Sequence, residues 1–157
     1  MNQILNLLAE DASLSIHQLA VMTGKSEEEI KKEKEMLENA GIIKGYRAVI
    51  DWDKTDREDV TALIEIRVSP KAHLGFDEIA RQIASFEEVE SVFLMSGSFD
   101  LCATVVGKSL KEVAFFVSGK LGVMDSVLSC ATHFILKNYK DSGISFGDEP
   151  EDERGRE

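Results

Sequence analysis

The sequence predicts an α+β protein built in two parts. Apolar residues recur at helical spacing up to about residue 40, and from Val60 the period drops to two. Strand-like and helix-like stretches then alternate in the order β-α-β-β-α-β, the pattern of one antiparallel sheet with both helices on a single face. A chain of 157 residues with 43% apolar residues has enough material for two small cores.

Residues 1–50 are expected to form a winged-type helix-turn-helix of three helices plus a strand. Ile4, Leu5 and Leu8 make the first apolar stripe. Ser15 is placed to cap a second helix with Ile16, Leu19 and Ala20 inward. "MTGKS" (Met22–Ser26) reads as the turn: Gly24 permits positive φ, and Ser26 with Glu29 makes a capping-box pattern. The third helix runs to about Asn39 and stops at Gly41. Its core arc should hold Ile30, Met36, Leu37 and Ala40. "IIKGYRAVI" (residues 42–50) then turns β-like.

Residues 51–59, "DWDKTDRED", read as a polar hinge. Residues 60–140 are predicted to form a ferredoxin-like βαββαβ domain. Its first strand turns Val60, Ala62, Ile64, Ile66 and Val68 to one face, and Ser69-Pro70 ends it. A helix follows, with Phe76, Ile79, Ala80, Ile83 and Phe86 inward. Two strands flank "SGSFD". A helix capped by Ser109 turns Leu110, Val113, Ala114, Val117 and Leu121 inward, and "SVLSCATHFILK" is the last strand. Helices cover only one sheet face, so the other should meet a second copy of the chain. Residues 141–157 read as a disordered acidic tail.

The net charge of −11 argues against a generic polyanion binder, whose affinity would come from Lys and Arg displacing counterions. The charge is uneven, however. Six Lys/Arg stand against eight Asp/Glu in the first 50 residues, so the acidity belongs mainly to the rest. With no targeting signal and no run of about 20 apolar residues, the chain is expected to be soluble and cytoplasmic, without a membrane partner. Cys102 and Cys130 lie in apolar runs and read as buried, reduced thiols; two lone cysteines give no metal spacing. His17, His73 and His133 are scattered, and no catalytic arrangement, cofactor motif or zinc pattern is present.

Four stretches taken together resemble the Lrp/AsnC (feast/famine) family of transcription regulators. "LLAEDASLSIHQLA" resembles the family's first two helices, and "LENAGIIKGYRAVID" its helix end and following strand. "SGSFDLCATV" is similar to its T-G-x-Y-D-L turn. "SVLSCATHFILKNYK" is similar to its last strand, with Thr132 and Lys137 in matching places. The likeness covers about residues 2–140. It implies a DNA-binding regulator whose C-terminal domain assembles the oligomer and senses an amino acid or related small molecule between subunits. The chain departs from the family pattern at Glu33 and Met36, where arginines are usual, at Lys34, usually apolar, and at Phe99, often Tyr.

The candidate DNA-binding residues are Lys25, Ser26, Glu27, Glu28, Lys31, Lys32, Lys34, Lys44 and Arg47. The cations suit phosphates, and a carboxylate can accept from cytosine. The candidate effector-binding residues are Met95, Ser96, Gly97, Ser98, Phe99, Asp100 and Thr132. Backbone N–H groups at Gly97 suit a carboxylate, and Asp100 an ammonium, although any polar hairpin has a similar composition. The expected partners are double-stranded DNA, further copies of the chain and a small-molecule effector. Two other readings compete. One is a metabolite-sensing oligomer with weak or lost DNA binding. The other is a sirohaem decarboxylase-like enzyme, for which the second half offers only Arg67, Arg81, His73 and His133.

Overall fold

The computed structural model describes residues 3–69 and 75–147. Pro70, His73 and the acidic stretch from residue 148 lie outside the described residues. The chain divides into two compact units, Met1–Ile50 and Asp51–Glu157.

The first unit holds three helices: α1 (Gln3–Glu10), α2 (Ile16–Thr23) and α3 (Glu27–Asn39). Both turn-side caps are reciprocal boxes. Ser15 pairs with Gln18, and Ser26 with Glu29, so each helix start satisfies two otherwise orphaned N–H groups. Gly24, at φ 70°, supplies the left-handed residue that turns α2 into α3. Gly41, at φ 65°, does the same after α3. The core is Ile4, Leu8, Leu19, Ala20, Ile30 and Leu37.

Two expectations for this unit fail. Met36 is 63% exposed and Ala40 is exposed, because α1 and α2 cover only the narrow arc of α3 around Ile30 and Leu37. Residues 42–50 do not form a strand. No described strand runs beside them, and an extended segment without a ladder partner leaves its backbone polar groups to water.

The second unit opens with a short 3₁₀ turn, Trp52–Lys54. The Thr55 hydroxyl donates to the Trp52 carbonyl and the Arg57 guanidinium lies 4.3 Å from the Trp52 ring centroid, so the hinge stretch is folded on itself. The sheet follows: β1 (Val60–Val68), β2 (Val89–Leu94), β3 (Leu101–Gly107) and β4 (Val127–Phe134), in spatial order β2-β3-β1-β4 and antiparallel throughout. Helices α4 (Phe76–Ala84) and α5 (Leu110–Phe116) complete the βαββαβ order, and α5 runs into a π-helical turn, Val117–Leu121.

The core lies between the helices and one sheet face. It contains Ala62, Ile64, Ile66 and Val68 of β1, Leu101, Ala103 and Val105 of β3, and Ile79, Ile83, Val113, Phe116 and Leu121 of the helical layer. Phe116, absent from the expected inward set, meets Phe86 edge-on at 5.5 Å. Leu110 and Ala114 were expected inward but are exposed, and so is Phe76. Leu110 and Phe76 are the first residues of their helices. Val113 and Phe116, three residues apart, form the buried face of α5, and the π turn that follows carries the buried Leu121.

The expectation of a disordered stretch from 141 fails for the described residues 141–147. Lys140–Asp141 (β5) pairs with Ile144–Ser145 (β6). Ser142 at φ 48° and Gly143 at φ 86° supply the two positive dihedrals of a tight hairpin turn.

Candidate functional site

In the first unit, α3 stands after a tight turn with its polar side outward. Six carboxylates lie on this helix, and four are engaged inside the unit. Glu27 Oε1 sits 2.8 Å from His17 Nδ1. Glu29 accepts from the Ser26 backbone at 2.9 Å and from its hydroxyl at 2.7 Å. These bonds hold the Glu29 carboxyl below its ordinary value, the backbone bond most of all. Glu33 takes the Lys25 ammonium at 2.5 Å. Glu38 accepts from the Tyr46 hydroxyl at 2.8 Å, and the Lys34 ammonium lies 4.7 Å from the Tyr46 ring centroid.

The nine candidate DNA-facing residues therefore separate. Lys25, Ser26, Glu27 and Lys34 are tied to partners within the unit, while Glu28, Lys31, Lys32 and Lys44 are exposed. Arg47 is exposed on the irregular 42–50 segment and does not belong to the helix. Glu35 was not among the candidates, yet it shares the outward stripe with Glu28. Its signal was the seven-residue spacing from Glu28.

In the second unit, the 95–100 turn joins β2 to β3. Its base is pinned. The Met95 N–H donates to the Asp100 carbonyl at 2.8 Å, and the Asp100 N–H to the Ile66 carbonyl at 3.1 Å. Asp100 Oδ2 accepts from the Val68 N–H at 2.9 Å, beside the register shift between Arg67 and Val68. That carboxylate is thus already committed, by one oxygen, to the end of β1. Gly97 is not required by the backbone: its φ is not positive, and a Cβ there would meet nothing within 4 Å. Ser96 and Ser98 are exposed at the tip; Phe99 is half-buried.

Thr132 stands opposite Ile64 in the β1–β4 ladder, so it shares the helix-covered face. It lies on β4, which is separated from β3 by β1, and within one chain it does not line the turn.

The other sheet face carries no helix. It presents Leu63, Glu65 and Arg67 of β1, Phe93 of β2, Cys102, Thr104 and Val106 of β3, and Ala131 and His133 of β4. Leu63 is 38% and Phe93 54% exposed. His133 Nε2 lies 3.3 Å from Glu65 Oε1. Cys102 is half-buried on this face and Cys130 half-buried on the helix side. Burial pushes both thiols up, and Glu65 adds to the effect on Cys102.

One pocket escaped sequence reasoning. It measures about 540 Å³ and is lined by Gln82, Phe86, Lys120, Met124 and Ser126, among others. The Lys120 ammonium, 2.5 Å from Glu88 Oε1, holds that carboxyl below its ordinary value.

Comparison with known proteins decides the family. Residues 61–144 match the Lrp/AsnC ligand binding domain. The chain belongs to the Lrp/AsnC family. It is 46% identical over 153 residues to YugG of Bacillus subtilis (strain 168), an uncharacterized HTH-type transcriptional regulator, covering 97% of this chain and 92% of that protein. It is 30% identical to the HTH-type transcriptional regulator LrpA of Pyrococcus abyssi over 137 residues, covering 87% and 94% of the two chains. The fold is shared with the transcriptional regulator NMB0573 from Neisseria meningitidis, solved with L-Met, at a TM-score of 0.71 and 22% identity over 94% of this chain and 96% of that one. This Lrp/AsnC chain is therefore a helix-turn-helix DNA-binding regulator with a ferredoxin-like second domain, and not an enzyme. The decarboxylase reading is set aside. No described helix is long and apolar enough to cross a membrane.

Proposed function

We propose that this Lrp/AsnC regulator binds specific operators as an oligomer and that an amino acid or related small molecule, held between second units of different subunits, changes its geometry. The bare sheet face carries the reading. A sheet with helices on one side only leaves Leu63, Phe93 and Val106 without cover, and a second copy of the same face is a self-complementary partner. Packing two such faces brings two second units, and their 95–100 turns, into one assembly.

The turn supports the effector assignment by its chemistry. Its base is fixed by Asp100, while Ser96 and Ser98 offer free hydroxyls at the tip. An effector contacting two subunits would bias their arrangement, and so the spacing of paired helix-turn-helix units on DNA. The L-Met complex of NMB0573 gives amino acids priority as effectors.

A thermal-shift screen against the twenty amino acids tests the effector assignment, since a ligand at 100 times its Kd adds about 2.7 kcal/mol of stability. One or a few amino acids should raise the Tm. No shift with any of them at millimolar concentration refutes an amino-acid effector. A gel-shift assay on the chain's own upstream region, at low and moderate salt, tests DNA binding separately.

A further inference from the structure

We infer that α3 selects C·G base pairs through Glu28 and Glu35, with Lys31 and Lys32 between them carrying the phosphate contacts. The inference rests on the DNA-binding reading and assigns its specificity. Of the six carboxylates on α3, the four already described are held by His17, Ser26, Lys25 and Tyr46. Glu28 and Glu35 are exposed and make no hydrogen bond or ion pair among the described residues. At about 100° per residue they fall on one stripe with Lys32, opposite the buried Ile30, and Lys31 flanks it.

The stripe thus balances two acids with two bases. Lys31 and Lys32 offset the repulsion that two carboxylates would meet near phosphates, which leaves the carboxylates free to discriminate. A carboxylate accepts hydrogen bonds and cannot donate them. In the major groove cytosine presents its amino donor, whereas guanine and thymine oppose the carboxylate with acceptor oxygens. Adenine's amino group stands beside the N7 acceptor, so it too is disfavoured. Wrong bases are rejected by repulsion, an efficient route to specificity.

The spacing makes the inference quantitative. Seven residues at 1.5 Å rise separate the two carboxylates by about 10 Å along the helix. With α3 lying along the groove, that equals about three base-pair steps of 3.4 Å.

The experiment is selection of random duplexes by the full chain at low salt, followed by sequencing, for the native protein and for Glu28→Gln and Glu35→Gln. Circular dichroism confirms that each variant folds. The native protein should enrich two fixed cytosines about three base pairs apart within each half-site. Glutamine can donate, and it suits adenine N6 and N7. Each variant should therefore move one of the two positions from cytosine toward adenine, leave the other unchanged, and bind the native site about tenfold more weakly. An enriched motif that lacks the cytosines, or that is identical in the native protein and both variants, overturns the assignment while DNA binding stands. No enrichment by the native protein overturns both.

Discussion

Asp100 reaches back 32 positions to accept a hydrogen bond from the Val68 backbone N–H, 2.9 Å from its Oδ2. The bond ties the base of the candidate effector turn to the end of β1, where the ladder with β4 shifts register. Asp100→Ala leaves that half-buried N–H unpaired and should cost about 1–3 kcal/mol in chemical denaturation of the full chain. Asp100→Asn retains an acceptor and should cost well under that. If both variants matched the native protein in stability while losing effector response, the carboxylate would serve the ligand and not the sheet.

Leu63 marks the centre of the uncovered sheet face. Leu63→Asp places a charge on the proposed seam, so the mean sedimenting mass at micromolar concentration should fall toward that of one subunit. Leu63→Ala should weaken assembly by a lesser amount. Unchanged sedimentation of Leu63→Asp would put the seam elsewhere.

The Ser26–Glu29 box predicts an acid-sensitive start to α3. Glu29 has its carboxyl held below the ordinary 4.5 by bonds from Ser26. A lowered carboxyl binds its proton more weakly when folded, so its contribution is present above the ordinary value and is lost as pH falls through the folded one. Helicity monitored by circular dichroism should therefore fray below about pH 4.5. Glu29→Gln should flatten that dependence, and Ser26→Ala should cost about 1 kcal/mol at neutral pH.

Tyr46 offers a local probe of the first unit. Its hydroxyl donates to Glu38, and desolvation, together with that carboxylate, pushes its pKa up to about 12. Tyr139 is the other tyrosine of the chain. In Tyr139→Phe, phenolate absorbance should rise near pH 12. Adding Glu38→Gln should move the transition down toward the usual value of about 10. A transition already near that value in Tyr139→Phe would show that the Tyr46–Glu38 contact is not held in solution.

Local signals carried most of the fold. Period-two burial along β1, the cap at Ser15 and the capping box at Ser26 depend on residues a few positions apart, and such patterns are readable from sequence. What escaped depends on partners distant in the chain or absent from it. The 42–50 segment has strand-like composition but no described strand to pair with. Met36 has an apolar side chain, yet no described element covers its arc. The Ser142-Gly143 hairpin was hidden inside a polar run. The 95–100 turn was legible as a turn. Asp100's bond to Val68 was not, because it crosses between strands, and Thr132's separation from the turn follows from strand order alone. The engagement of four α3 acids likewise needed coordinates, since His17 and Tyr46 lie outside the helix.

The open space around Gly97 bears on how this protein changes over time. Nothing in the turn's backbone demands glycine there, while Asp100 anchors the strands on either side. Replacements at 96–98 should therefore carry little penalty to folding. On the proposed effector reading, lineages carrying this scaffold are free to exchange one metabolic cue for another by altering three exposed positions.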